Sequence, residues 1–418
     1  MTEQRTASYR VAVVGGGVIG LCSAFYLQRR GHQVTVFDQS TVGSGASRGN
    51  GGQIVTADPL PAPGMVREGL RHWFSPSSAF YIHPQSLPVL SSFLVRFALN
   101  ANARTYMSAF NKLDQLNRVR TQLFDELASE GIGDHFEPTG NLRAFESRET
   151  ALSDWQAARR LAALGLAQQP GEFLDTADLH ALEPSLGAAA RWGFLRPDVR
   201  FGDPSRFVDQ LSRYLTEHGV KIVEHAGVTD ITERAGSVTV LHGGDETSVD
   251  RALIAAGLGS TDLLRGLGCR IRMVPGKGYS FTVEPAQMPR YTILLGEAHV
   301  GATPLDDVRL RIAGTMELGG SSNGSIAQDR IKAITTAAAP FLDGVDWSSV
   351  TEQWVGSRPM TPDGLPYIGR VGRSERVFAA TGHNMLGLSL APATGQAIAG
   401  LISGDGDDAT LAAFALSR

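Results

Sequence analysis

The feature that most constrains this chain is its first fifty residues, which read as one strand–turn–helix–strand unit. Arg10-Val-Ala-Val-Val14 is an unbroken apolar run of the kind that a strand buried on both faces requires. Gly15-Gly-Gly17-Val-Ile-Gly20 follows directly, with glycines at the spacing of a dinucleotide fingerprint. The first glycine permits a tight turn, the second lets backbone approach a pyrophosphate, and the third packs helix on strand. The spacing predicts a helix from about Val18 to Arg30, stopped by Gly31, and a second strand over Gln33–Asp38. The start of that helix, with Val18 and Ile19, offers N–H groups and a positive dipole end to phosphates. Asp38, eighteen residues after Gly20, can accept from a ribose hydroxyl, with Gln39 beside it. A glycine-rich turn with no ligand is the alternative, and the whole ordered unit argues against it.

The rest of the chain must be accommodated around this unit. At 418 residues it is long for one core, so two domains are expected. A net charge of −4 without a basic block argues against nucleic acid as partner. Two cysteines, Cys22 and Cys269, are too few for a disulfide framework, which fits a reducing, cytoplasmic setting. The opening MTEQRTASYR lacks the apolar stretch of a signal peptide. Val377–Gly404 contains no Asp, Glu, Lys or Arg, but its His383, Asn384, Pro392 and several glycines suit a strand, a turn and a buried helix better than a membrane span. The scattered histidines show no metal-ligand spacing.

Helix is expected over most of 65–130, a short strand over 137–145, and a helix opened by Asp203-Pro204 and closed by Gly219. Strands follow over 220–224, 228–232, 237–242, 247–250 and 251–257, where Ala256 and Gly257 end a buried run. A strand-rich stretch over 271–317, a helix over 325–339 and a helix near 391–402 complete the reading.

Two further stretches carry chemistry. Residues 44–53 are crowded with Gly, Ala, Ser and Asn; Ser44, Ser47, Asn50, Gly51, Gly52 and Gln53 can lie flat against a planar ring with their N–H groups available. A mobile surface loop has the same composition, and position after the second strand favours the ring. Thr381-Gly382-His383-Asn384, with Leu386, Gly387 and Leu388, suggests a second helix N-terminus whose dipole can stabilise negative charge. His383 is a site candidate, with a packed structural histidine as the alternative.

The segments GGGVIGLCSAFYLQRRGHQVTVFD (15–38), SGASRGNGGQI (44–54), ALIAAGLGS (252–260), VPGKGYSF (274–281), RLRIAGTMELGG (309–320), WVGSRPMTPDGLPYIG (354–369) and TGHNMLGLSLAPATG (381–395) together resemble the D-amino acid oxidase superfamily of FAD-dependent enzymes. Within it the bacterial D-amino acid dehydrogenase small-subunit type and the glycine oxidases are similar. The resemblance implies an α/β protein: a Rossmann-like FAD-binding domain (1–58, 200–262 and 350–418) and a second α+β substrate domain with a mixed or antiparallel sheet (59–199 and 263–349). It implies oxidative deamination of a D-amino acid, and places Arg358 where relatives hold the substrate carboxylate with two parallel hydrogen bonds. A surface or structural arginine is the alternative. Tyr279 and Lys277 are implied to approach the substrate, Lys277 with loop anchoring as its plainer role.

Met316 stands near the place where some oxidase relatives carry a lysine that promotes reaction with oxygen, which favours a dehydrogenase passing electrons to another acceptor; a quinone, an electron-transfer protein and oxygen are the acceptors considered. Asn384-Met385 replaces a further arginine of glycine oxidases. No cysteine lies near Arg358 and no histidine in 40–53, so FAD is expected to be held non-covalently. Glycine, sarcosine, proline or hydroxyproline remain alternative substrates, followed by a 2-hydroxy acid, a non-catalytic FAD-binding subunit and an NAD-binding protein. A homo-oligomer or partner subunit is open, as is peripheral contact with the inner membrane face through Trp73, Phe74, Phe80 and Tyr81, where domain capping is the plainer reading.

Overall fold

A computed structural model describes residues 8–56, 58–69, 73–75, 78–319, 325–406 and 408–418. Gly320, the last residue of the RLRIAGTMELGG segment, and parts of the 65–130 stretch lie outside them.

The N-terminal unit nucleates a six-stranded sheet in the order Tyr367–Arg370, Val377–Thr381, Arg251–Ile254, Arg10–Val14, Gln33–Phe37, Lys221–Val223. Five strands run parallel and the Tyr367–Arg370 edge is antiparallel. Parallel strands need helices on their faces. One face takes Val18–Arg29, Pro204–Glu217 and Gly387–Ser403, together with Ala103–Ser129, in one continuous core that includes Leu21, Phe25, Phe207, Phe124 and Leu390. Helices Val18–Arg29 and Gly387–Ser403 approach so closely that a Cβ at Gly395 would lie 2.7 Å from the Cys22 backbone, and Cys22 is fully buried. The other face is covered by the three-stranded sheet Val228–Arg234, Ser237–His242, Asp245–Val249.

The second sheet is mixed and larger. Its path runs Val345–Met360, Val274–Pro285, Leu310–Leu318, Val300–Pro304, Thr292–Leu295, Asn141–Phe145, Trp192–Arg196, with Phe80–Ile82 pairing to Leu310–Leu318. One of its faces is filled by Phe281, Ile293, Ile312 and the helix Gln328–Ala338.

Local rules explain several elements. The Asp203 carboxylate accepts from the Ser205 N–H at 2.8 Å, Pro204 fills the first helical position, and Gly219 at φ +84° closes the helix. The expected segmentation differs in two places. Position 350 falls inside the sixteen-residue strand Val345–Met360, which belongs to the second sheet. Helix Ala103–Ser129, expected in the second domain, buries Leu113, Leu116 and Leu123 in the core of the first.

Candidate functional site

The C-terminal ends of Arg10–Val14, Gln33–Phe37, Arg251–Ile254 and Val377–Thr381 gather four of the predicted segments at one edge: Gly15–Gly20, Asp38, Ala256–Gly257 and Gly382. Open parallel sheets bind nucleotides at such an edge. Gly15 sits at φ +108°, and a Cβ there would lie 2.5 Å from the Ala255 carbonyl oxygen. At Gly20 a Cβ would come within 1.9 Å of the Gly15 oxygen, so helix and turn tolerate nothing larger than glycine. The first turn of Val18–Arg29 has N–H groups without intrahelical acceptors. One of them, Val18 N–H, is taken by the Ser47 hydroxyl at 3.1 Å.

Asp38 does more than its spacing suggested. One carboxylate oxygen accepts from Gly16 N–H at 2.7 Å and the other from Ser40 N–H at 2.9 Å, so Asp38 latches the glycine turn to the following loop. Gln39 packs near Gly227, where a Cβ would stand 3.3 Å from its own Cβ. Glu224, which the sequence reading passed over, accepts from Val42 N–H at 2.7 Å; its signal was an acid closing a parallel strand.

The glycine-rich loop begins in a turn, with the Ser40 and Ser44 hydroxyls 2.8 Å apart. From Gly49 it crosses one face of the second sheet. The Ser280 hydroxyl donates to Gly49 O at 2.8 Å, Arg311 reaches Asn50 O at 3.5 Å, and Gly51 passes Ala313. The Gln53 amide donates to Thr292 Oγ1 at 2.7 Å. Asn50 Oδ1 accepts from Gly52 N–H at 2.9 Å, and Gly52, at φ +72°, has no room for a Cβ beneath Gly202 O. Trp354, also missed from sequence, lays its indole against Gly49 and Gly356, where Cβ atoms would come within 2.0 and 1.9 Å of the ring.

Arg358 lies on this same loop-bearing face. In the register of Val274–Pro285 against Val345–Met360, Gly276 pairs with Arg358, Gly278 with Gly356 and Ser280 with Trp354. Paired residues share a face and neighbours alternate. The guanidinium folds over Gly278, where a Cβ would stand 2.1 Å from Arg358 Cζ. Its Nη1 donates to the Thr315 carbonyl at 3.0 Å and lies 3.9 Å from Met316 Sδ. Thr315 sits at φ +63°, opposite a shift in the pairing of Leu310–Leu318 with Val274–Pro285. No carboxylate pairs with Arg358 among the described residues, and burial lowers its pKa to about 10.

The same alternation turns Lys277 and Tyr279 to the opposite face, so the structure does not bring them to Arg358. Tyr279, 1% exposed, donates to Glu317 Oε2 at 2.9 Å, and Lys277 Nζ lies 3.5 Å from Glu317 Oε1. Burial and the Glu317 charge push the tyrosine hydroxyl well above its usual range.

At the third segment, helix Gly387–Ser403 starts at Leu386, with Leu386 and Leu388 buried. His383 is 3% exposed beside the Thr394 hydroxyl at 3.1 Å, and burial lowers its pKa to about 3. The Asn384 amide is committed to Thr361 and Gly382, which ties this turn to the end of Arg358's strand.

An FAD is compatible with these residues. Glycines without room for a Cβ and an acid-latched turn at a helix start suit a pyrophosphate, and a second helix start lies near the arginine strand.

The profile of the family described as DAO, FAD dependent oxidoreductase, matches residues 10–401. The D-amino acid dehydrogenase of Rhizorhabdus wittichii is 34% identical over 406 residues, covering 94% of this chain and 96% of that protein. The D-amino acid dehydrogenase of Methylobacterium sp. (strain 4-46) is 32% identical over 411 residues, covering 94% and 95%. Among solved structures, glycine oxidase from Geobacillus kaustophilus superposes with a TM-score of 0.74 at 24% identity over 99% of both chains.

Proposed function

Since the chain belongs to the DAO family of FAD-dependent oxidoreductases, we propose that it dehydrogenates a D-amino acid to the imino acid, which water converts to a 2-oxo acid and ammonia. The observation that carries this reading is Arg358, a partly buried cation with no acidic partner among the described residues, facing the loop of residues 49–53. A substrate carboxylate supplies the missing countercharge through two parallel N–H···O bonds. Support for an amino acid over other carboxylates comes from the dehydrogenase names of the relatives.

FAD, when bound, supplies the two-electron acceptor chemistry. The Gly15–Gly20 turn, Asp38, the Ser44–Gln53 loop, Gly257 and the start of Gly387–Ser403 would hold it. The protein's own work is positional. Arg358 fixes the carboxylate, Thr315 O and Gly278 fix Arg358, and the carboxylate then sets where the α-carbon points. The amine must be neutral to release its electron pair, and no described acid at Arg358 holds it as ammonium. We assign Lys277, Tyr279 and His383 to structural support, since their polar atoms are engaged elsewhere.

Attachment is non-covalent in this reading: Cys22 is buried between helices and the His383 ring is enclosed against Thr394. Met316 beside Arg358 supports an acceptor other than oxygen. Among the described residues no helix is long and apolar enough to cross a membrane. A cytoplasmic site, peripheral membrane contact and a partner or second copy stay within the proposal.

The test is anaerobic titration of the holoenzyme with D- and L-amino acids, glycine, sarcosine, proline and lactate. Bleaching of the visible flavin band by D-amino acids is the expected result. Bleaching by glycine, sarcosine or proline alone moves the substrate to secondary or achiral amines. A spectrum that no amine changes refutes the amino-acid reading.

A further inference from the structure

At the far edge of the second sheet from Arg358 lies a cavity of about 120 Å³, lined by Ile54, Arg120, Phe124, Gln168, Asp198 and Arg200 among others. The two places lie at opposite ends of a path of seven strands, six steps of about 4.8 Å each, or roughly 29 Å along the sheet. None of the residues that touch Arg358 lines it.

Its charge pattern is unbalanced in a specific way. Arg120 is 6% exposed, and its Nη1 is buried with no hydrogen-bond partner, while Nη2 donates to the Asp198 carbonyl at 3.2 Å. Asp198, with a side chain 5% exposed, uses one carboxylate oxygen twice, accepting from the Thr56 hydroxyl and from Arg196. Its other oxygen, Oδ1, is buried and has no partner. Arg200 is spoken for by Asp125 at 2.7 Å. Buried polar groups are rarely left unpaired, and each such group costs about 1–3 kcal/mol. One orphaned cationic donor and one orphaned anionic acceptor therefore belong to two residues that line a space with room for about four water molecules or a ligand of similar size.

We infer that this cavity is a second ligand site that takes a small zwitterionic α-amino acid, its carboxylate at the Arg120 guanidinium and its ammonium at the Asp198 carboxylate. A simple anion satisfies Arg120 but leaves Asp198 repelling it, and a simple amine does the reverse. A ligand carrying both charges answers both groups. The size admits glycine- or alanine-sized molecules and excludes aromatic side chains.

The experiment uses the FAD-loaded Arg358→Ala protein, in which the substrate grip is removed, and follows glycine and D- and L-alanine binding by calorimetry. One equivalent of residual binding is expected. Asp198→Asn should weaken it at least tenfold, and acetate or methylammonium should compete at least tenfold more weakly than glycine. If Asp198→Asn fails to fold, Arg120→Met in the same background gives the same readout. Absence of residual binding means the cavity holds water only and overturns the inference. Equal binding of acetate and glycine also overturns it, because the ligand is then an anion. Either result leaves the Arg358 reading standing, since that rests on flavin reduction by the unsubstituted protein.

Discussion

Replacement of Arg358 by methionine separates two roles that a buried arginine can play. In the ligand-free protein the guanidinium is desolvated, bonded to one carbonyl and unpaired, and its pKa falls from 12.5 to about 10. At 1.36 kcal/mol per pH unit, that drop corresponds to a cost of order 3 kcal/mol for keeping the charge in place. Arg358→Met removes that cost and preserves much of the side-chain volume beside Met316 and Met360, so the apoprotein should be as stable as before or more stable. Substrate binding moves the other way. Two charge-assisted bonds to a carboxylate contribute about 3–4 kcal/mol net, which is a 10²–10³-fold rise in the substrate concentration needed for half-reduction. Arg358→Lys keeps the charge but loses the fork, and should fall between the two. The assay is a urea melt of the apoprotein beside anaerobic flavin reduction of the holoprotein. A methionine variant that loses stability while its substrate requirement stays within threefold refutes the reasoning, because Arg358 is then a structural cation.

Gly278→Ala places a methyl 2.1 Å from Arg358 Cζ, and the flexible guanidinium is what must yield; the variant should fold and retain FAD but need at least tenfold more substrate in steady-state assays. Glu317→Gln removes the countercharge of Lys277 inside a buried cluster, so urea melts should show a loss of about 3 kcal/mol. The substrate requirement should stay within twofold, because the cluster faces away from Arg358. His383 resists protonation in the folded protein until about pH 3, whereas the unfolded chain takes up that proton near pH 6.5. Its share of stability is therefore full above pH 6.5 and declines by up to about 1.4 kcal/mol per pH unit as the pH falls toward 3. His383→Gln should flatten that part of the stability–pH curve, as measured by urea melts from pH 7 to pH 4.

The nucleotide end of the fold was legible because each residue there answers a local demand. Gly15 and Gly20 leave no space for a side chain, the run over 11–14 is buried on both faces, and Asp203-Pro204 opens a helix by capping chemistry that operates over three residues. Such signals survive in a bare sequence because the partner atoms are neighbours or stand one turn away. Helix Ala103–Ser129 was legible as a helix but not as to where it docks. Its apolar stripe of Leu113, Leu116, Leu123 and Leu127 fits any apolar face, and long-range packing alone puts it in the first core.

The candidate substrate end shows what parity decides. Residues 355–369 carry prolines and an Asp-Gly pair of the kind turns use, yet Arg358 is in a strand and the turn begins beyond Met360. Once it is a strand, a step of one residue changes the face. Gly276, Gly278 and Ser280 meet Arg358, Trp354 and the glycine-rich loop, while Lys277 and Tyr279, interleaved with them, meet Glu317 in the opposite core. In this geometry Gly278 clears the floor on which the guanidinium lies, and Gly276 leaves room for Met316 and Met360 beside it. Chemically conspicuous side chains drew the sequence reading to the lysine and tyrosine, but what a strand presents to a site is fixed by its register with the next strand. On its other side the strand Val274–Pro285 pairs with Leu310–Leu318, and that pairing shifts at Thr315, a β-branched residue at φ +63° whose strain has no signature in the sequence. The physical link from Thr315 to the proposed function is its carbonyl, which the irregular backbone turns toward Arg358 Nη1, a cation with no acidic partner among the described residues.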